Sequence, residues 1–423
     1  MVSFSPFKAI RPLAQHTDEV AAPPYDVMSR AEARVMIEGH PNSILRVTRP
    51  DATLEDEVQM DDPRAYHQAS AELSRLISSG VLAADERDAI YLYAQQMGSH
   101  RQTGFIGLAS ADDYWDDSIK KHEFTLPRKE DDRMRQVETL GAHLGPVFLT
   151  HAPHAQLSAL IERYQASAPK VQHTAPDGVT HELWIVDDPA DIDVVTTAFS
   201  EISALYIADG HHRAAAAARV ARSRAERGDH DAGRFLCVSF ASDELLVLPY
   251  QRVIDREVDV DALFTSLRES FVITEVAAPE ERDPSASVLF PPHAGGWGLY
   301  ARGQWYLLEA SESLRGAVNQ RPLTAQLDVS VLQDEVLSPL LGVDDPRTCD
   351  HISFVGGIRG FRELERRADA VGGVAFALYP TSVNELMGIA DLGEVMPPKS
   401  TWFEPKLRSG LFMNVFDASA TQG

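Results

Sequence analysis

Ser203-Ala204-Leu205-Tyr206-Ile207-Ala208-Asp209-Gly210-His211-His212-Arg213, followed by Ala214-Ala215-Ala216-Ala217-Ala218-Arg219-Val220-Ala221-Arg222, is the stretch whose reading decides the fold. A short apolar run stops at Asp-Gly. Alanine is the strongest helix former, so a helix follows, running to about Arg227 with Gly228 as its stop. Strand, tight turn and helix start are the unit of an α/β protein. At a helix start the first backbone N–H groups lack intrahelical acceptors, and the helix dipole favours negative charge there. An anion, most simply a phosphate, therefore has a seat on Gly210, His211, His212 and Arg213. The same residues also suit a plain polar connection between a strand and a helix.

Outward from this unit, the apolar periodicity continues to mix strands and helices. Strands are expected at 89–96, 103–109, 147–149 and 181–186, and helices at 29–39, 65–79, 130–140 and 156–165. Residues 42–48 alternate like a strand. Downstream, 234–240 and 244–252 read as a hairpin, and 297–301 with 305–308 as another. Residues 327–341 make an apolar-periodic helix, residues 278–294 a loop, and 351–371 a second strand–glycine–helix unit. That unit lacks the Gly-x-Gly-x-x-Gly spacing of a dinucleotide site, and no Gly-x-x-x-x-Gly-Lys-Ser/Thr loop or Gly-x-Ser-x-Gly elbow occurs anywhere. The fold class is α/β, in the mixed α+β sense.

Bulk properties narrow the chemistry. The 423 residues are 44% apolar, and 39 Lys plus Arg stand against 63 Asp plus Glu, a formal charge of −24. Such a balance opposes nonspecific nucleic-acid binding, which needs cations to displace phosphate counterions, and an anionic substrate requires a local basic pocket. The two cysteines, Cys237 and Cys349, stand apart. They exclude a Cys-rich zinc site and fit a reducing cytoplasm, the expected location. No signal peptide is read at the start, and no apolar run reaches membrane-spanning length.

Three further stretches concentrate polar chemistry. In Ala22-Pro23-Pro24-Tyr25-Asp26, two prolines stiffen the backbone before a tyrosine and a carboxylate; Asp26 or Ser29 can equally cap the next helix. In His122-Glu123-Phe124-Thr125-Leu126-Pro127-Arg128-Lys129, Glu123 and Thr125 lie beside cations, a set that suits a metal–phosphate group. It is not a His-Glu-x-x-His zinc helix. In Met396-Pro397-Pro398-Lys399-Ser400-Thr401-Trp402-Phe403-Glu404-Pro405-Lys406, lysines beside hydroxyls suit an anion pocket, and Trp402 and Phe403 argue against simple exposure.

Together with Leu248-Pro249-Tyr250-Gln251-Arg252, these blocks resemble a widespread prokaryotic family known as a domain of unknown function, over nearly the whole chain. Asp209–Arg213 is also similar to the Gly-x-x-Arg phosphate turn of the ParB/sulfiredoxin superfamily, and its Asp-Gly-His-x-Arg form is most like the free serine kinases. The resemblance implies a ParB/sulfiredoxin-like phosphate-binding core elaborated by mixed-sheet regions, with an N-terminal α/β region over 1–195 and the core with a C-terminal phosphate-closing segment over 196–423. Sulfiredoxin chemistry needs a cysteine where His211 and His212 stand, and a partition protein needs a basic DNA-binding domain.

What the resemblance implies is a phosphotransferase forming O-phospho-L-serine from free serine and either pyrophosphate or a nucleotide. A non-catalytic nucleotide-binding regulator and a nucleotide or phosphate-ester hydrolase are the alternatives. Gly210, His211, His212 and Arg213 would hold donor phosphate, with Lys399, Ser400, Thr401 and Lys406 closing over it. Asp209, Glu123 and Asp26 are the catalytic candidates, and Glu123 and Asp209 the candidates to hold Mg²⁺. Tyr25, Thr125 and Arg252 are assigned to substrate. The expected partners are small molecules, with no nucleic acid and no membrane, and with room for a homodimer.

Overall fold

A computed structural model of the chain describes residues 1–279 and 290–417. The loop expected at 278–294 lies largely outside them. The described chain forms two compact units. The first contains Met1–Met97, Arg101–Leu245 and Pro405–Gly423, and the second Gly98–His100 and Leu246–Glu404.

The first unit is built on a nine-stranded mixed sheet. Its strands are β1 (Phe4–Ser5), β2 (Ile90–Met97), β3 (His100–Ser110), β4 (Ile119–Lys120), β5 (Val147–His151), β6 (Val171–Thr174), β7 (Thr180–Val186), β8 (Leu205–Asp209) and β9 (Arg234–Ala241). The spatial order is β4-β8-β5-β9-β3-β2-β7-β6, with β1 on β3. The β8–β4 and β9–β5 pairs are parallel and the β8–β5 pair antiparallel. The helices α1 (Arg30–Ile37), α2 (Pro63–Ser78), α3 (Pro127–Leu140), α4 (Ala155–Gln165), α5 (Pro189–Glu201) and α6 (His211–Ala225) complete the unit.

The alanine run of α6 does more than favour helix. Ala214, Ala215, Ala217, Ala218 and Ala221 are buried in the same core cluster as Leu205, Ile207 and Phe235. Methyl-sized side chains let the helix lie close to its own sheet, a packing that larger residues would push apart. Each fully buried side chain of this core, such as Phe105 or Phe199, contributes about 1.5–3 kcal/mol of transfer free energy.

The second unit has its own sheet, antiparallel at every pairing. Its strands are β10 (Leu246–Leu248), β11 (Tyr250–Ile254), β12 (Phe271–Val276), β13 (Gly296–Ala301), β14 (Gln304–Ala310), β15 (Ile352–Gly356), β16 (Val374–Leu378) and β17 (Trp402–Glu404). Six of them run in the order β12-β14-β13-β16-β11-β15, and β10 pairs with β17. Helix α7 (Phe361–Val371) packs Leu364 and Ala368 against Val253, Trp305 and Ala375.

The class expected from the sequence, mixed α/β, is the one observed. Two local readings are corrected. Residues 234–240 and 244–252 do not form a hairpin: β9 pairs with β3 and β5, whereas β11 pairs with β15 and β16. Pro249 separates β10 from β11, and the unit boundary falls between Leu245 and Leu246. Residues 42–48 are not a strand; Leu45–Thr48 is a helical turn, with Ile44, Leu45 and Val47 all buried. Adjacent Ile44 and Leu45 are both buried, which a strand with one solvent face would not allow. The units also do not divide at 195/196, because β8, α6 and β9 share one sheet and core with β2, β3 and β5.

Candidate functional site

The turn between β8 and α6 has the geometry its sequence implies. Gly210 adopts φ 92° and ψ 32°, a left-handed conformation, and α6 begins at His211 with no side-chain cap. A Cβ on Gly210 would lie 2.9 Å from Nε and from one Nη of Arg213. Glycine is therefore needed twice here, for the backbone angle and for the guanidinium that folds back over it. Arg213 donates to the Pro146 carbonyl (2.6 Å), and its other Nη lies 3.6 Å from Asp209. Its Nε is buried and without a hydrogen-bond partner among the described residues.

Asp209 is the charge centre. Burial alone would raise its carboxyl pKa, but the cations of Lys406 and Arg213 outweigh that and lower it to about 2. Lys406 Nζ lies 3.9 Å from Asp209 Oδ2. The Lys406 backbone is fixed from beneath by Gln95, which donates to its carbonyl (2.9 Å), and by Gln102, which donates to Gln95 (3.0 Å). Both glutamines are fully buried, and the chain Gln102 to Gln95 to the Lys406 carbonyl places polar groups that burial would otherwise penalise.

His211 is 5% exposed. Its Nδ1 is 3.8 Å from Glu123 Oε2, too long for a hydrogen bond, and its Nε2 is buried without a partner. Its ring meets that of His122 edge to face at 4.5 Å. Burial, then the neighbouring His122, holds the His211 pKa well below its usual value, so the ring is neutral at pH 7. Burial likewise lowers His122 to about 4.

Beside Arg213 opens a small pocket lined by Tyr25, Arg133, Gln136, Gly145, Arg213 and Ser409 over an apolar floor that includes Leu140, Val147 and Phe235. The Arg133 guanidinium stacks on the Tyr25 ring at 4.3 Å, and its Nη1 donates to Gln136 (2.6 Å). The Tyr25 backbone is pinned by Arg49, which donates to the carbonyls of Tyr25 (3.2 Å) and Met28 (2.7 Å). Arg49 is in turn held by Asp51 through two bonds of 3.0 and 2.9 Å. Ser29 caps α1 in a capping box with Glu32, which leaves Asp26 exposed beside Tyr25.

The first unit thus brings together Asp209, Gly210, His211, Arg213, Glu123 and Lys406, with Tyr25 on the adjoining cavity. Other expected residues are turned elsewhere. His212 Nε2 accepts from the Leu126 N–H (3.0 Å) and ties α6 to the 122–126 loop. Thr125 donates to Glu130 at the start of α3. Lys399, Ser400, Thr401 and Arg252 belong to the second unit. There Arg252 is buried among carbonyls rather than open to a substrate, donating to those of Tyr250 (2.8 Å), Pro398 (3.4 Å) and Lys399 (3.0 Å).

Residues that sequence reasoning did not single out include Gln136, Gly145, His122 and Ser409. Nothing local marks Ser409; its place follows from its backbone pairing with Ala22, at the start of the Pro-Pro-Tyr arm. Among the described residues, no group of three or more His, Cys, Asp or Glu side chains could hold a metal ion. A Mg²⁺ ion that arrives with a phosphate donor asks the protein for only one or two carboxylates. Asp209, held ionised, and Glu123 fit that demand.

The sequence matches the model of the family described as "Protein of unknown function (DUF1015)" over residues 4–330, and the chain belongs to that family. No curated protein matches it. Among solved structures, free serine kinase in complex with AMP is 17% identical, with a TM-score of 0.32 over 70% of this chain and 89% of that one. SbnI with a C-terminal truncation, from Staphylococcus aureus, is 12% identical, with a TM-score of 0.38 over 75% of this chain and 89% of that one. A conserved hypothetical protein from Pyrococcus furiosus is 16% identical, with a TM-score of 0.30 over 70% of this chain and 93% of that one. Among the described residues, no helix is long and apolar enough to cross a membrane.

Proposed function

We propose that this DUF1015 member is a small-molecule phosphotransferase that makes O-phospho-L-serine from free L-serine, with pyrophosphate or a nucleotide as donor. One observation carries the phosphoryl-transfer part of the reading. The uncapped start of α6 coincides with two buried side-chain nitrogens, Arg213 Nε and His211 Nε2, that have no partner among the described residues. The N–H groups of the helix start, a fixed guanidinium and the Lys406 ammonium brought beside the turn form a seat for phosphate oxygens. Serine as acceptor rests on the resemblance of Asp209-Gly210-His211-His212-Arg213 to the free serine kinases.

Phosphoryl transfer asks the protein mainly for positioning and charge neutralisation. Arg213 and Lys406 supply the positive field. Glu123 is assigned the proton of the serine hydroxyl, because Asp209, with its pKa lowered to about 2, is a weak base at neutral pH. Asp209 instead keeps Arg213 and Lys406 oriented and, with Glu123, would hold Mg²⁺. When bound, Mg²⁺ would neutralise charge on the donor oxygens. His211, neutral and buried, shapes the turn and offers one uncharged nitrogen to the donor side.

The test is ³¹P NMR of the full chain with Mg²⁺, serine and, in turn, pyrophosphate, ATP and ADP. Phosphoserine from one of the donors is expected. Its absence with every donor refutes the reading: orthophosphate release independent of serine would make the protein a hydrolase, and saturable nucleotide binding without turnover a regulator. Arg213→Ala is expected to lower kcat/KM by at least about 10²-fold, and Glu123→Gln to lower kcat by about 10²–10⁴-fold.

A further inference from the structure

The pocket beside Arg213 has a one-sided lining. No Asp or Glu stands on it, in a chain that carries 63 of them. Its charged side chains are Arg133 and Arg213. His143 also lines it, and burial lowers that ring to about 4, so it is neutral at pH 7. Much of the remaining lining is apolar, including Leu140, Val147 and Phe235. An inorganic anion gains nothing from an apolar wall. A small organic anion has a carbon skeleton to bury there and a charge for the arginines.

The pocket also holds unspent donors. Arg133 uses three N–H groups, two on Asp132 and one on Gln136; a guanidinium has five, so two remain. Asp132 also accepts from Tyr66 (2.7 Å), which holds the carboxylate, and through it the guanidinium, in place. The hydroxyls of Tyr25 and Ser409 make no hydrogen bond among the described residues, and both residues line the pocket. Burial pushes the Tyr25 hydroxyl pKa up, so it keeps its proton at neutral pH. Gly145 leaves the wall open between Arg213 and Ser409. A Cβ there would lie 3.8 Å from Arg213 Nη1 and 3.8 Å from Ser409 Oγ, clashing with neither and occupying the space beside both. The cavity measures about 50 Å³, room for about three to five waters at ~10–15 Å³ each. A two- or three-carbon acid is of that size, and a nucleoside is not.

We propose that this pocket is a carboxylate subsite, in which Arg133 and the hydroxyls of Tyr25 and Ser409 take the carboxylate of a short-chain hydroxy or amino acid. A guanidinium with hydroxyl donors beside an apolar wall is the complement of a carboxylate on a short carbon chain. Its role as the acceptor side of the phosphoryl transfer rests on the reading above; its preference for a carboxylate does not.

The full chain has 11 tyrosines, so ¹³Cζ-tyrosine labelling gives a short spectrum, in which Tyr25 is identified by its loss in Tyr25→Phe. At constant ionic strength, titration with sodium glycolate and with L-serine is expected to move the Tyr25 resonance saturably. Ethanolamine, which has the hydroxyl and no carboxylate, is expected to leave it in place. Arg133→Met and Ser409→Ala are each expected to weaken the glycolate response at least tenfold, with Arg133→Lys intermediate. Gly145→Ala is expected to weaken it as much while keeping the parent's midpoint in urea, because the methyl fills the space without a clash. An equal response to ethanolamine, no response to glycolate or serine, or a response indifferent to Ser409→Ala and Gly145→Ala would overturn the assignment. Competitive loss of the glycolate response under pyrophosphate would overturn it too, by making the pocket part of the donor seat. Phosphoserine formed while serine leaves Tyr25 unmoved would remove the pocket and keep the reaction. Tyr25 moved by both acids in a protein that makes no phosphoserine would uphold the pocket and refute the reaction.

Discussion

Gly210→Ala tests the turn most directly. An L-residue in the left-handed region costs about 1–2 kcal/mol, and φ 92° lies well past the centre of that basin. The new methyl would also meet the Arg213 guanidinium at 2.9–3.0 Å. That group is the far end of a flexible side chain, so it yields, but in moving it loses its 2.6 Å bond to the Pro146 carbonyl, worth about 1 kcal/mol net. The first unit is therefore expected to lose about 2–3 kcal/mol. The guanidinium leaves the proposed anion seat in the same motion. The assay is urea denaturation followed by far-UV circular dichroism, together with pyrophosphate titration read at the Lys406 amide. Arg213→Ala in parallel separates the contributions: it removes the seat while keeping the glycine, and is expected to cost about 1 kcal/mol. A Gly210→Ala protein as stable as the parent, or one that responds to pyrophosphate at the same concentration, would refute the account of the turn.

Three further outcomes are expected. Asp51→Ala leaves the Arg49 charge buried with only the Tyr25 and Met28 carbonyls; a loss of about 3–5 kcal/mol is expected in urea denaturation, and a parent-like midpoint would contradict it. His143, His151 and His181 have pKa values lowered by burial to about 4, 3 and 2. The unfolded chain therefore binds more protons below about pH 6.5, and the first unit should lose up to about 1.4 kcal/mol per pH unit per histidine between pH 6 and 5, measured as proton-linked stability. Asp209 has the same sense in a lower window: its lowered pKa contributes stability above about pH 4 that disappears as pH falls toward 2. Lys406→Met should move its carboxyl titration upward, as read by ¹³C NMR, and no movement would remove Lys406 from the site.

The β8–α6 unit was legible because everything that defines it is local. An apolar run, a glycine before a helix and five alanines state strand, turn and helix within twenty residues. The buried strands and most helices were legible for the same reason. Partner choice was not. Arg234–Ala241 and Tyr250–Ile254 are both good strands, yet they enter different sheets, because strand pairing is settled by distant residues and not by adjacency. The candidate site divides along the same line. Asp209, Gly210 and Arg213 meet because they share one turn. His212 and Thr125 carry equally suitable chemistry but spend it on Leu126 and Glu130.

The amino-acid sequence alone determined the class of the fold, the position of the strand–glycine–helix turn, the excess of negative charge and the family resemblance. Tertiary packing determined which charges are free to act. Asp209 is ionised because Lys406, almost two hundred residues away in sequence, arrives beside it. Arg252 orients a loop because its guanidinium is buried beneath that loop's carbonyls. Electrostatics and hydrogen-bond satisfaction depend on distance and burial, and neither is a property of a residue's neighbours in the chain.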